Sequence, residues 1–196
     1  LSAPGLTEDE VLRQADLALY HVKESGRSRC AVFEPGMRSE ILRRHDAEAE
    51  LRRASENGEL HLLYQPVVSL RRGHIVGAEA LVRWRHPLRG LVAPAEFIDL
   101  AEASGLIEPL GQWVIEHACR PGEAWNRVEA PFYLGVNLSV RQLHQPSIVS
   151  QVSAALGASG LRPERLICEI TESMLARDPL VAAARLRELK NIGIRV

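Results

Sequence analysis

The sequence carries almost no net charge, no long apolar run and too few cysteines to staple a fold. Across 196 residues, 24 Lys and Arg stand against 25 Asp and Glu, a formal net charge of −1. Such a chain has no basic field to condense on a phosphate backbone, so binding of a DNA or RNA polymer through bulk charge is excluded. No uninterrupted apolar stretch approaches the roughly 20 residues that cross a bilayer, and the first residues lack the basic and apolar regions of a secretory signal. A cytoplasmic location is expected, with membrane attachment only through a segment upstream of this one. The three cysteines, Cys30, Cys119 and Cys168, are odd in number and show no C-x-x-C spacing, which speaks against a disulfide framework and a zinc knuckle. They are expected to be buried thiols. The seven histidines show no H-x-x-x-H spacing, and no internal repeat or low-complexity tract is present.

What is there is an ordinary globular composition, 46% hydrophobic and 25% charged. Thr7 and Glu10 form a capping-box pair ahead of apolar residues at helical spacing, from Val11 to Val22. A short strand is expected at 30–33, a turn at Pro35-Gly36, and a connecting helix over 38–57 ending at Gly58. From Leu60 onward, strands and helices alternate in the manner of a parallel-rich α/β domain. Strands are expected at 60–68, 74–84, 132–139, 165–171 and from 194. Pro94, Pro109 and Asp178-Pro179 mark helix starts, Gly105 marks a stop, and Ser139 caps a helix over about 140–156 that is interrupted near Pro146. Pro121-Gly122 would cost about 3 kcal/mol inside a continuous helix, so a break is expected there, with Trp125 on a separate short helix. The first residue, Leu1, and a strand that opens at Ile194 just before the last residue, Val196, give both ends the look of cut ends.

Successive side chains of a strand point to opposite faces, and three strands share one parity. Even positions from Val76 to Trp84, from Phe132 to Leu138 and from Leu166 to Ile170 are apolar. On the opposite face lie Glu79, Leu81 and Arg83; then Gly135, Asn137 and Ser139; then Ile167, Glu169 and Thr171. Each strand therefore presents an oxygen ligand late in its run. An unpaired carboxylate in an apolar sheet costs several kcal/mol, so a cation must meet it. Two candidates exist: an arginine such as Arg83 inside the barrel, or a divalent metal. Two carboxylates and an amide oxygen are the hard donor set of Mg²⁺ or Mn²⁺. The C-terminal ends of the strands are also the catalytic end of a β/α barrel. Arg85 and Arg89 around His86-Pro87 add a small basic loop at the mouth.

Glu79-Ala80-Leu81-Val82-Arg83-Trp84 resembles the signature of the EAL family. Tyr64-Gln65-Pro66, Pro94-Ala95-Glu96-Phe97-Ile98, Asn137-Leu138-Ser139 and Glu169-Ile170-Thr171-Glu172-Ser173 extend the resemblance in the same order over residues 45–196. It implies a TIM-like β/α barrel, here incomplete with its first five strands, that hydrolyses cyclic di-GMP to the linear dinucleotide pGpG. It further implies that Glu79, Asn137 and Glu169 ligate Mg²⁺ or Mn²⁺, that Arg83 contacts a substrate phosphate, that Gln65 and Leu81 line the nucleotide pocket, and that Glu172 anchors a loop. In the family pattern an aspartate pair follows the strand that opens at Ile194. Without it, these 196 residues are expected to be an inactive fragment of the enzyme, with a non-catalytic cyclic di-GMP receptor as the alternative. Family members also resemble homodimers joined through the barrel. Ala15-Asp16-Leu17-Ala18-Leu19-Tyr20, Lys23, Gly26-Arg27 and Phe33 resemble the closing helix and strand of a GGDEF diguanylate cyclase domain. The expected division is thus a GGDEF-like remnant at 1–34, a linker helix at 35–58 and a truncated EAL-like domain at 59–196.

Overall fold

The computed structural model describes residues 7–24, 30–128, 132–170 and 178–196. It divides into two compact units, Leu1–Glu50 and Leu51–Val196. The first holds helix α1 (Glu8–Glu24) and most of α2 (Pro35–Glu56). The capping box forms as its residues dictate: the Thr7 backbone N–H donates to Glu10 Oε2 at 3.1 Å, and the Glu10 N–H donates to Thr7 Oγ1 at 3.4 Å.

Three expectations for this part are corrected. Residues 30–34 carry no regular structure where a strand was expected; a run this short needs a pairing partner, and no described strand pairs with it. Pro35 and Gly36 open α2 instead of forming a turn, because proline's fixed φ and missing N–H suit the first helical position. Cys30 is exposed, whereas Cys119 and Cys168 are buried, and burial pushes both of those thiols up to about 12.

The second unit is built on a five-stranded sheet. Its strands are β1 (Leu60–Val68), β2 (Ile75–His86), β3 (Gly90–Val92), β4 (Tyr133–Asn137) and β5 (Leu166–Glu169). The order is β1-β2-β4-β5, with β3 added to β2. Strand β1 runs antiparallel to β2, and β3 forms a short hairpin with the end of β2. The parallel part comprises β2, β4 and β5. Beyond β5 the strand expected from 194 is reduced to one parallel bridge, Ile167 with Arg195.

The connecting helices are α3 (Ile98–Ser104), α4 (Ile107–Cys119), α5 (Gly122–Arg127), α6 (Val140–Leu143), α7 (Ile148–Ser159) and α8 (Pro179–Asn191). Proline and glycine punctuate them as expected. Gly105 ends α3 in the left-handed conformation at φ 82°. Pro121 separates α4 from α5, which carries Trp125. A break between α6 and α7 falls at Pro146.

Alternation along the strands decides which face is covered. In β2, Ala78, Ala80, Val82 and Trp84 are buried, while Glu79, Leu81 and Arg83 are half-buried. The even face joins Leu134, Val136, Leu166 and Cys168 in one core with the inward sides of α4 and α7. Burying such side chains contributes about 1.5–3 kcal/mol each, which fixes the strand register because a one-residue slip would turn every one of them outward. The odd-face side chains of Glu79, Leu81 and Arg83 are by contrast only half-buried. Among the described residues, no helix is long and apolar enough to cross a membrane.

Candidate metal centre

Sheet register places the odd-face residues in rows. Gln65 lies opposite Glu79, which pairs with Gly135. In the next row Leu63 lies opposite Leu81 on one side of the sheet, and Asn137 pairs with Glu169 on the other. Glu79 and Asn137 are 58 residues apart in sequence, yet the Asn137 Nδ2 donates to Glu79 Oε1 at 2.6 Å. The backbone N–H of Leu138 donates to the Glu169 carbonyl at 2.9 Å and extends the ladder past the end of β4.

Glu169 is placed beside them by the sheet, in register with Asn137. Burial, and after it the charge of Glu79, hold its carboxyl above the ordinary carboxylate range. The register of Asn137 with Glu169 and the hydrogen bond from Asn137 to Glu79 gather the two carboxylates and the amide on one face at the C-terminal ends of β4 and β5. Gly135 makes room for this. A Cβ on residue 135 would strike Glu169 Oε1, with Glu79 Cα only 3.7 Å away. Sequence reasoning placed Gly135 on this face without giving it a role; a glycine inside a strand beside two carboxylates was the available signal.

The arginine alternative does not form. Arg83 Nη1 donates to the Val82 carbonyl at 2.8 Å, and among the described residues no ion pair joins a cation to Glu79 or Glu169. Arg83 is half-buried on the same face, two positions beyond Leu81 towards the mouth. Gln65 is exposed on β1. Glu172 lies outside the described residues.

The donor set fits a hard divalent cation. No described group of three His, Cys, Asp or Glu side chains gathers as a metal site, but two carboxylates with an amide need only the Asn137 Oδ1 to complete three oxygen donors. A cation between Glu79 and Glu169 would also remove the repulsion that raises Glu169. Behind Asn137, a cleft of about 290 Å³ opens between the sheet and α3–α4, lined by Leu81, Ile98, Leu110, Asn137 and Gln142 among others.

The hairpin next to the site is braced through Trp84. The indole Nε1 donates to Glu59 Oε2 at 2.9 Å, the Arg89 guanidinium sits 5.1 Å from the ring centroid, and His86 packs edge-on at 5.0 Å. His86 Nδ1 accepts from the backbone N–H groups of Leu88 and Arg89 at 3.1 and 3.2 Å, closing the turn before β3.

Comparison with known proteins identifies the family. Residues 48–196 match the EAL domain family. The chain is 38% identical over 193 residues to the bifunctional diguanylate cyclase/cyclic di-GMP phosphodiesterase MucR of Pseudomonas aeruginosa, covering 98% of this chain and 28% of that protein. It is 35% identical over 192 residues to the cyclic di-GMP phosphodiesterase PdeR of Escherichia coli, covering 98% and 29%. It thus spans under a third of the length of these curated relatives. Among solved structures it resembles the MucR phosphodiesterase in complex with c-di-GMP, with a TM-score of 0.72 and 39% identity over 76% of this chain and 61% of that one. It also resembles the FimX EAL domain of Pseudomonas aeruginosa bound to c-di-GMP, with a TM-score of 0.66 and 32% identity over 76% and 60%. The fold is accordingly that of the TIM-like EAL barrels, and the chain belongs to the EAL domain family.

Proposed function

We propose that the protein carrying this segment is a cyclic di-GMP phosphodiesterase that opens one phosphodiester of the ring to give linear pGpG, using Mg²⁺ or Mn²⁺. The single observation that carries the reading is the approach of Asn137 to Glu79 at 2.6 Å, with Glu169 in register beside Asn137. Relatives named as phosphodiesterases and neighbours bound to c-di-GMP support the substrate class.

Glu79, Asn137 and Glu169 would hold the metal. When bound, a divalent cation supplies an acidified water and neutralises charge on the non-bridging oxygens. A cation held between the two carboxylates would offset the charge of Glu79 at Glu169, which together with burial raises the Glu169 carboxyl. Arg83 releases the Val82 carbonyl and turns its guanidinium to a substrate phosphate, where a charge-assisted fork fixes orientation. Gln65 and Leu81, in rows adjoining Glu79 and Asn137, line the nucleotide pocket. Glu172 anchors the neighbouring loop. A GGDEF-like remnant over 1–34, a linker helix over 35–58 and an EAL-like domain over 59–196, a cytoplasmic setting and pairing of two copies through the EAL domain belong to the same proposal.

Incubation with cyclic di-GMP and Mn²⁺, followed by chromatography of the nucleotides, tests it. The expected result is linear pGpG from the full-length protein carrying this segment and none from its Glu79→Gln variant. Binding of the dinucleotide without turnover would replace this reading with that of a receptor.

A further inference from the structure

Gln142 is 97% removed from solvent, being only 3% exposed, and its Nε2 has no hydrogen-bond partner among the described residues. A leucine or methionine of similar size would avoid the penalty of an orphaned buried donor, so the amide must be retained for its other end. That end is engaged: Gln142 Oε1 accepts from the Ser139 backbone N–H at 3.1 Å, and Ser139 Oγ accepts from the Gln142 N–H at 3.2 Å. The reciprocal cap starts two residues after Asn137, at the point where β4 turns into α6. The position is held from the helical side as well. A Cβ on residue 111 of α4 would collide with the Gln142 amide. Arg141 beside it donates through Nε to Glu108 at 2.8 Å and through Nη1 to the Glu102 carbonyl at 3.2 Å.

From this geometry we infer that Gln142, seated against Gly111, is a positioning residue for Asn137. It fixes the exit of β4 and so the direction in which the Asn137 amide meets Glu79 and a bound cation. Its link to catalysis rests on Asn137 being a ligand, as proposed above; its effect on the amide does not. Gln142→Met keeps volume and removes the acceptor for the Ser139 N–H. Gly111→Ala keeps the acceptor but displaces it.

The side-chain amide resonance of Asn137, assigned through Asn137→Ala, reports the arrangement in the metal-free chain. The expected result is that Gln142→Met and Gly111→Ala each shift this resonance toward that of a free amide, and lower Mn²⁺ affinity about tenfold, as loss of a supporting partner commonly does. Adding Gly111→Ala to a Gln142→Ala chain should then change nothing further, since the two act through one contact. Gln142→Glu, which retains an acceptor oxygen, should leave the resonance in place. Folded Gln142→Met with an unmoved Asn137 resonance would overturn the inference. Should that variant not fold, a displaced resonance in Gln142→Glu would overturn it equally. If the wild type binds no Mn²⁺ at all, the metal reading fails, while the metal-free resonance still decides the role of Gln142.

Discussion

Asn137 and Glu79 meet across two parallel strands, Nδ2 to Oε1 at 2.6 Å, so the amide ties down one of two carboxylates that would otherwise repel each other unchecked. Replacing Asn137 with alanine should remove both the tether and an oxygen donor, and weaken Mn²⁺ binding by about tenfold or more. Calorimetric titration checks this. An unchanged affinity would mean that the amide serves only to brace the sheet.

Glu169 sets the pH dependence. Its folded pKa is raised, first by burial and then by Glu79, so the metal-free fold binds this proton more tightly than the unfolded chain does. Stability of the metal-free chain should decline as pH rises from the ordinary carboxylate range through the raised value. Metal must displace the same proton, so Mn²⁺ affinity should climb through that window and level off above it. Glu79→Gln removes the second cause and should bring Glu169 only part of the way down, which a carboxyl-carbon NMR titration would show.

Arg83, proposed to meet a substrate phosphate, should give a separate phenotype. Arg83→Ala should raise KM for cyclic di-GMP by roughly 10- to 100-fold, the loss of a hydrogen bond to a charged group, while Mn²⁺ affinity stays near wild type. Lysine should restore little of it, because an ammonium cannot reproduce the guanidinium fork. A parallel loss of metal affinity would place Arg83 in the metal centre instead.

The Trp84 indole holds Glu59 below the ordinary carboxylate range, with a further hydrogen bond from Asn57. Trp84→Phe should therefore destabilise only slightly, by a few tenths of a kcal/mol up to about 1 kcal/mol, because solvent screens the Glu59 carboxylate. The loss should be full above the unfolded carboxylate pKa and should fade as pH falls through the depressed one. Denaturant melts at neutral and acid pH would show the difference.

Much of the centre was legible because strand parity is a strict period of two: Glu79, Asn137 and Glu169 fall on one face whatever the tertiary detail. Proline and glycine likewise set the break at Pro121 and the end of α3 at Gly105. Other features depend on packing that one-dimensional reading does not carry. Strand β3 has only three residues and exists through its pairing with Trp84, Arg85 and His86, so it has no period of its own. The run 30–33 looks like a strand by composition and finds no partner among the described residues. Gly135 and Gly111 matter for what a side chain there would strike, Glu169 in one case and Gln142 in the other, and that is visible only in three dimensions.

The most direct test of the metal centre is anomalous diffraction at the manganese edge from crystals of the protein grown with Mn²⁺. The expected result is a peak bonded by oxygens of Glu79, Asn137 and Glu169 at about 2.1 Å, close to the Mg²⁺–oxygen distance. A peak bound elsewhere, with these three side chains turned away from it, would contradict the account.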